Sequence, residues 1–191
     1  MEVAVQKIPE NLIYEMVKGE PIYYKGFRAY LNGEKQIEEI MGSSKLQSLI
    51  IAELIFLLRS FFGDDYLIFT NEIGLQFSKK SWRAADIAVI QANKVLDINN
   101  KYLEVAPDIV FEIDTKAELN EIKNPLGYYH EKTDELLKFG VEKVIWIFTD
   151  TKKIMIAEQN KQWILTDWKE NIEIKKGLSI DLKKMLGKWG V

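Results

Sequence analysis

The sequence predicts a three-layer α/β fold in which a mixed central sheet is flanked by helices. Two observations predict it. Short apolar strand segments alternate with two long amphipathic helical segments along the 191 residues. The segments at 85–90, 108–114 and 143–148 are also almost continuously apolar, which indicates a sheet covered on both faces. No repeat or Pro/Ser-rich linker interrupts the chain, so we expect one domain over residues 1–191.

The elements follow from hydrophobic spacing and turn residues. Residues 11–31 are predicted to form an N-terminal strand pair that turns at Gly19-Glu20-Pro21. Residues 43–62 carry leucines near helical spacing and predict the first long helix. The remaining predicted elements are strands at 66–70, 73–77, 85–90 and 108–114, a helix at 125–139 ending at Gly140, a strand at 143–148, a C-terminal β-meander at 154–157 and 162–166, and a helix at 180–186.

Composition restricts the chemistry that the chain can perform. It has no cysteine and one histidine, His130, which excludes disulfides, thiolate zinc sites and metal sites with several histidines from one chain. The net charge of −3 argues against a general DNA-coating role, although a local basic groove remains compatible with it. The N-terminus lacks the pattern of a signal peptide, so we expect a cytoplasmic protein with no membrane partner.

Carboxylates lie inside apolar strands, where they are costly to bury. In the segment PDIVFEID at 107–114, alternation places Glu112 and Asp114 on one face. Asp86 opens another apolar strand, and it approaches Glu112 if the two strands are neighbours. Carboxylates that converge in this way form a site for Mg²⁺ or Mn²⁺, and such an ion activates water and stabilises charge on a phosphodiester.

A structural explanation of these acids stays open. Asp86 can simply begin a strand, and Glu112 can form a buried ion pair with Lys116 or Lys132. In a metal site, either lysine could orient water or offset negative charge. His130 has no placed partner in the sequence, so we expect it to be a helix residue without a direct role.

Three segments then resemble a known family. The segments are ADIAVI at 85–90, APDIVFEI at 106–113 and EK-x5-KFGVEKVIWIF at 131–148, and YEMVKGEPIYY at 14–24 adds to them. They are similar to the Uma2 family of restriction-endonuclease-like proteins, in the PD-(D/E)xK nuclease superfamily. The resemblance covers most of the chain and implies a restriction-endonuclease-like core.

The resemblance also assigns roles to individual residues. It implies that Asp86 is the first acid, Glu112 the second, Lys132 the helix lysine and Glu20 the early glutamate. The chain departs from the family pattern after Glu112, where Asp114 adds an acid and Lys116 a second lysine. Leu46, beside Gln47, occupies the position where many members of the family carry a histidine.

The expected function is therefore a Mg²⁺-dependent endonuclease that hydrolyses DNA. Asp86, Glu112 and Asp114 are the expected metal ligands, and Lys132 or Lys116 positions the water with Glu20 in the outer shell. Two alternatives remain. The chain is a catalytically inactive binding or assembly module of the same fold, or it is a phosphoesterase acting on small phosphates or RNA. By analogy with other nucleases we expect a homodimer.

Overall fold

The computed structural model describes residues 8–122 and 124–191. The expectation about the extreme N-terminus therefore lies outside the described residues. The described elements, in chain order, are β1 (Ile13–Val17), β2 (Glu20–Tyr23), α1 (Phe27–Leu31), α2 (Ile37–Met41), α3 (Lys45–Phe62), β3 (Tyr66–Ser78), β4 (Ser81–Gln91), β5 (Ile109–Ile113), α4 (Pro125–Phe139), β6 (Lys143–Phe148), β7 (Lys153–Glu158), β8 (Ile164–Asp167), β9 (Ile172–Lys175), β10 (Leu178–Ile180) and α5 (Leu182–Gly187).

The central sheet is mixed, and β4 is its organising strand. The strands follow the order β2-β1-β4-β5-β6-β7-β8, and β3 pairs with β4 along most of its length. All of these pairs are antiparallel except β5 with β6. On the edge opposite β3, β4 pairs first with β1 at Trp82 and then with β5 from Ile87 onward. Asp86 therefore lies where β4 changes partner.

The two long helices cover opposite faces of the sheet. α3 begins at a Ser44 cap, and its side chains Ile50, Leu54 and Leu58 are fully buried in the core cluster on one face. α5 and the separate β9–β10 hairpin contribute to the same cluster. α4 contributes to the cluster on the other face. The predicted three-layer α/β fold with a mixed sheet and a C-terminal meander is confirmed.

α3 is apolar well beyond its buried stripe. Together with the turn that follows, over Lys45–Asp65, it is long and apolar enough to cross a membrane by length and composition. Core helices of soluble proteins meet the same criterion, and here the stripe at positions 50, 54 and 58 lies against the sheet.

Several boundaries differ from the sequence prediction. The predicted strands at 66–70 and 73–77 are one long strand with a bulge, because Asn71 and Glu72 add an extra residue opposite β4 without ending the pairing. The first hairpin turns at Lys18 and Gly19, both at positive φ, so Glu20 begins β2 instead of lying in the turn. Residues 27–31 form α1 instead of extending the strand pair.

Candidate active site

Two neighbouring central strands bring Asp86 and Glu112 together. β4 and β5 are antiparallel, with Ile87 opposite Phe111, so continuing the register by one residue places Asp86 opposite Glu112. Opposed residues of an antiparallel pair point to the same face, here the face covered by α4. The condition on which the sequence analysis made the approach of Asp86 to Glu112 depend, that these two strands are neighbours, is met.

α4 supplies a lysine that lies directly beside Glu112. Lys132 is fully buried, and its Nζ lies 3.0 Å from Glu112 Oε2 and 2.9 Å from Glu15 Oε1. α4 is held in register at both ends, by an Asn124 cap and by Gly140 in a left-handed conformation. The buried ion pair that the sequence left open is thus present, with Lys132 as the partner of Glu112.

Glu15 on β1 is a member of this group that the sequence analysis missed. It is fully buried, and it accepts hydrogen bonds from Arg83 Nη1 at 2.8 Å and from the Tyr128 hydroxyl at 2.9 Å. Arg83 also pairs with Glu135 at 2.8 Å. We call Glu15, Arg83, Asp86, Glu112 and Lys132 the charged centre. A glutamate between Tyr14 and Met16 in a strand was the signal that could have revealed it.

The buried carboxylates of the charged centre differ in how many positive charges and hydrogen-bond donors surround them. Burial alone would raise the pKa of Glu15, but Lys132 and Arg83 hold it below its ordinary value. Burial raises the pKa of Glu112 to about 8; Lys132 opposes this increase, and the charge of Asp86 adds to it. Among the described residues, Glu112 Oε1 is buried and accepts no hydrogen bond. Glu112 is therefore compensated less completely than Glu15, through Lys132 alone.

Asp86 is intermediate between these extremes. Burial raises its pKa to about 6, although the Ile113 N–H donates to its Oδ2 at 2.7 Å and Lys132 adds a favourable charge. At 7% exposure it is the least buried acid of the charged centre. β5, which pairs with the strand of Asp86, is also held by α3, because Gln47 Nε2 donates to the Ile113 carbonyl at 3.0 Å.

The ammonium group of Lys132 has little freedom to act. Burial would lower its pKa, but the Glu112 and Glu15 carboxylates outweigh burial and raise it, so Lys132 remains charged. It forms ion pairs with both acids, at 2.9 Å from Glu15 and 3.0 Å from Glu112. Lys132 therefore serves first to compensate two buried carboxylates.

Three predicted site residues lie outside this group. Glu20 is exposed at the start of β2. Asp114 has φ 58, so the alternation of β5 ends there, and its carboxylate accepts from the Thr149 N–H and hydroxyl at 2.8 and 2.7 Å. Lys116 forms an ion pair with Glu72. The positive charge of Lys116 also acts to lower the pKa of Asp86.

The residues fit a divalent cation in part. Within residues 8–122 and 124–191, no group of three or more His, Cys, Asp or Glu side chains is already arranged as a metal site. Mg²⁺, however, is often bound through one or two carboxylates with water and phosphate completing its shell. Asp86 and Glu112 provide two carboxylates, and the unpartnered Oε1 is a donor atom of the correct hard-oxygen type. The observed pair is thus compatible with Mg²⁺ or Mn²⁺.

The fold is similar to that of a known nuclease-like protein. A crystal structure of a "putative nuclease belonging to DUF820" from Anabaena variabilis ATCC 29413 superposes with a TM-score of 0.66. The match covers 91% of this chain and 89% of the other, at 14% sequence identity. At that identity the likeness establishes a shared fold. No protein-family profile matches the chain, and no curated protein matches it by sequence.

Proposed function

We propose that this protein is a Uma2-like nuclease that hydrolyses phosphodiester bonds of DNA with Mg²⁺ or Mn²⁺. The observation that carries the proposal is the buried pair Asp86–Glu112, whose pKa values of about 6 and 8 indicate carboxylates short of positive charge. A purely structural ion pair would normally have its acceptors filled, as Glu15 does. The structural likeness to a protein described as a nuclease supports the proposal.

Charge balance favours a cation at this position. Among the described residues of the charged centre, Glu15, Asp86 and Glu112 face the two cations Arg83 and Lys132, so one negative charge is in excess when all are ionised. Glu135, which shares Arg83, adds another. A bound Mg²⁺ would offset this excess, lower the pKa of a water and stabilise charge on the scissile phosphate.

Different side chains would bind the cation, compensate the buried acids and position the water. Asp86 and Glu112 would hold the cation, and Asp86 is the less deeply buried of the two. Lys132 keeps the buried acids in place. Lys116, largely buried and paired with Glu72, would be the lysine that meets a phosphate oxygen or orients the attacking water. Hydrolysis then adds water across one P–O bond and releases a phosphate and a hydroxyl end.

Plasmid cleavage tests the proposal. Purified protein is incubated with supercoiled plasmid and Mg²⁺ or Mn²⁺, beside Asp86→Asn and Glu112→Gln. We expect the parent to nick or linearise DNA only with the metal, and each variant to lose at least about 100-fold, since removing one electrostatic contributor typically costs that much. Glu170→Gln, which changes an exposed acid in the turn after β8, is the matched control and should cleave normally.

Two results would contradict the nuclease proposal. One is the absence of cleavage by the parent on duplex and single-stranded substrates with either metal. The other is cleavage by Asp86→Asn and Glu112→Gln at the parent rate, which would indicate a contaminating nuclease.

A second candidate is an inactive binding or assembly module of the same fold. It is favoured by the complete burial of Lys132 and by the lack of a ready group of three acids among the described residues. Exposed Leu96 and Ile98 also line a cavity of about 480 Å³ that shares no residue with the charged centre. Calorimetry separates the two, because this candidate requires that neither Mg²⁺ nor Mn²⁺ binds and that any DNA binding is independent of metal.

A further inference from the structure

A distortion of β3 lies directly across from Asp86. In the β3–β4 pairing, Thr70 is opposite Ile87 and Ile73 is opposite Ala85, so Asn71 and Glu72 both face the single residue Asp86. Both bulge residues have positive φ, 66° and 57°, a conformation that is costly for residues other than glycine. Bulges of this kind redirect a side chain next to functional sites.

The redirected side chain, Glu72, is held by two partners. Its Oε1 forms an ion pair with Lys116 Nζ, and its Oε2 accepts from the Tyr24 hydroxyl at 2.8 Å. Lys116 is itself held by the Met41 carbonyl at 2.9 Å. Both charged side chains are largely buried, with 19% and 14% of their surfaces exposed. Glu72 thus lies on the strand across from Asp86, as an acid whose charge is matched by a lysine.

We propose that Glu72 is the third carboxylate of the cation site, and that its ion pair with Lys116 occupies the carboxylate while no cation is bound. The inference rests on the proposed function, since it names a further ligand of the same site. In this assignment Glu72 takes the place of Asp114 as the third ligand, because the Asp114 carboxylate already accepts two hydrogen bonds from Thr149. In the bound state Glu72 would exchange its ion pair with Lys116 for the cation, and Lys116 would keep its hydrogen bond to the Met41 carbonyl.

Three observations support this exchange. Glu72 belongs to the bulge of β3 that faces Asp86, and Lys116 is its ion-pair partner. Among the described residues, the buried Glu112 Oε1 accepts no hydrogen bond, so this oxygen can take a further positive group. Asp86, which the bulge faces, is at 7% exposure the least buried acid of the charged centre.

Mn²⁺ binding to the full chain tests the exchange without relying on catalysis. Titration calorimetry is performed on the parent, Glu72→Gln, Lys116→Met, the double variant and the Glu170→Gln control. Glu72→Gln should weaken Mn²⁺ binding by roughly 10-fold or more, because loss of a ligand costs at least as much as loss of an outer partner. Lys116→Met should bind Mn²⁺ several-fold more tightly than the parent.

The double variant separates exchange from simple repulsion. If Lys116 acts by holding Glu72, its removal should bring no gain in the Glu72→Gln background, so the two effects are not additive. Additive effects would mean that Lys116 only repels the cation, and they would overturn the exchange. An unchanged Mn²⁺ affinity in Glu72→Gln would overturn it as well.

The outcome also distinguishes the inference from the proposed function. If Asp86→Asn and Glu112→Gln abolish Mn²⁺ binding while Glu72→Gln keeps the parent affinity, the metal site stands and the role of Glu72 fails. If the parent binds no Mn²⁺, both fail. Unfolding temperatures without metal confirm that each variant is folded.

Discussion

At the scale of single residues, the charged centre shows how local partners set the chemistry of identical groups. Glu15 and Glu112 both contact Lys132 and are both buried. Glu15 has Arg83 and Tyr128 in addition, and its pKa falls. Glu112 has no further donor, and its pKa rises. Glu112 is therefore the glutamate whose ionised form an added cation would stabilise more.

This contrast predicts an unusual dependence of stability on pH. The pKa values of Asp86 and Glu112, about 6 and about 8, lie above their usual values near 4, so the folded chain binds these protons more tightly than the unfolded chain. Without metal, the free energy of unfolding should therefore fall as pH rises from about 4 to 8, by a few kcal/mol. The lowered pKa of Glu15 acts in the opposite direction, but only at more acidic pH.

Glu112→Gln should flatten that slope. The amide keeps the shape of the side chain but carries no charge, so the variant should lose less stability than the parent between pH 5 and pH 8. Urea denaturation across this range measures the difference, with Glu170→Gln as a control that should follow the parent. Parallel curves for the parent and Glu112→Gln would contradict the assigned pKa.

At the scale of elements, the site depends on how α4 presents one lysine to β5 and β1. Lys132 is the group on this helix that compensates two buried carboxylates, whereas Lys138, six residues later, pairs with Asp134 at the surface. Removing one member of a buried ion pair costs about 3–5 kcal/mol, while an exposed pair contributes about 0–1 kcal/mol.

Lys132→Met should thus destabilise the protein far more than Lys138→Met. We expect the loss to grow as the pH rises above 8, because Lys132 holds the pKa of Glu112 down and its removal makes the buried Glu112 keep its proton, at a cost that increases with pH. Chemical denaturation of both variants provides the measurement. Equal small losses would mean that Lys132 does not carry the charge balance of the charged centre.

Much of the element pattern was predictable, and the exceptions have physical causes. The helix at 125–139 and the strand at 143–148 were predicted with correct bounds, because Gly140 ends the first and continuous apolar residues define the second. The bulge in β3 was not visible, since Asn71 and Glu72 look like an ordinary turn between two strands. The β9–β10 hairpin was missed because its strands are only four and three residues long.

The site was predictable where it follows strand alternation and not where it depends on tertiary contacts. Asp86 and Glu112 stand out as charges in apolar strands, and the structure places them opposite each other. Asp114 follows the same pattern in sequence, but a positive φ turns it away. Glu15 joins the charged centre, and Glu72 comes to face Asp86, only through pairings with β4 that sequence spacing does not reveal.

At the scale of the whole molecule, the fold concentrates buried charge at one point of its sheet. β4 meets β1, β3 and β5 around Asp86, and each of these strands brings one acid to that region: Glu15, Glu72 and Glu112. A sheet covered by helices on both faces would be more stable with apolar residues there. Concentrating acids at such a cost is typical of a functional site.

Anomalous diffraction from crystals soaked with Mn²⁺ tests this account most directly. It predicts one strong peak between the carboxylates of Asp86 and Glu112, with the Glu72 side chain turned toward it and away from Lys116. If crystals at saturating Mn²⁺ show no peak there, and Lys132 remains the sole charged partner of Glu112, the charged centre is a structural ion-pair network and the proposed metal chemistry is wrong.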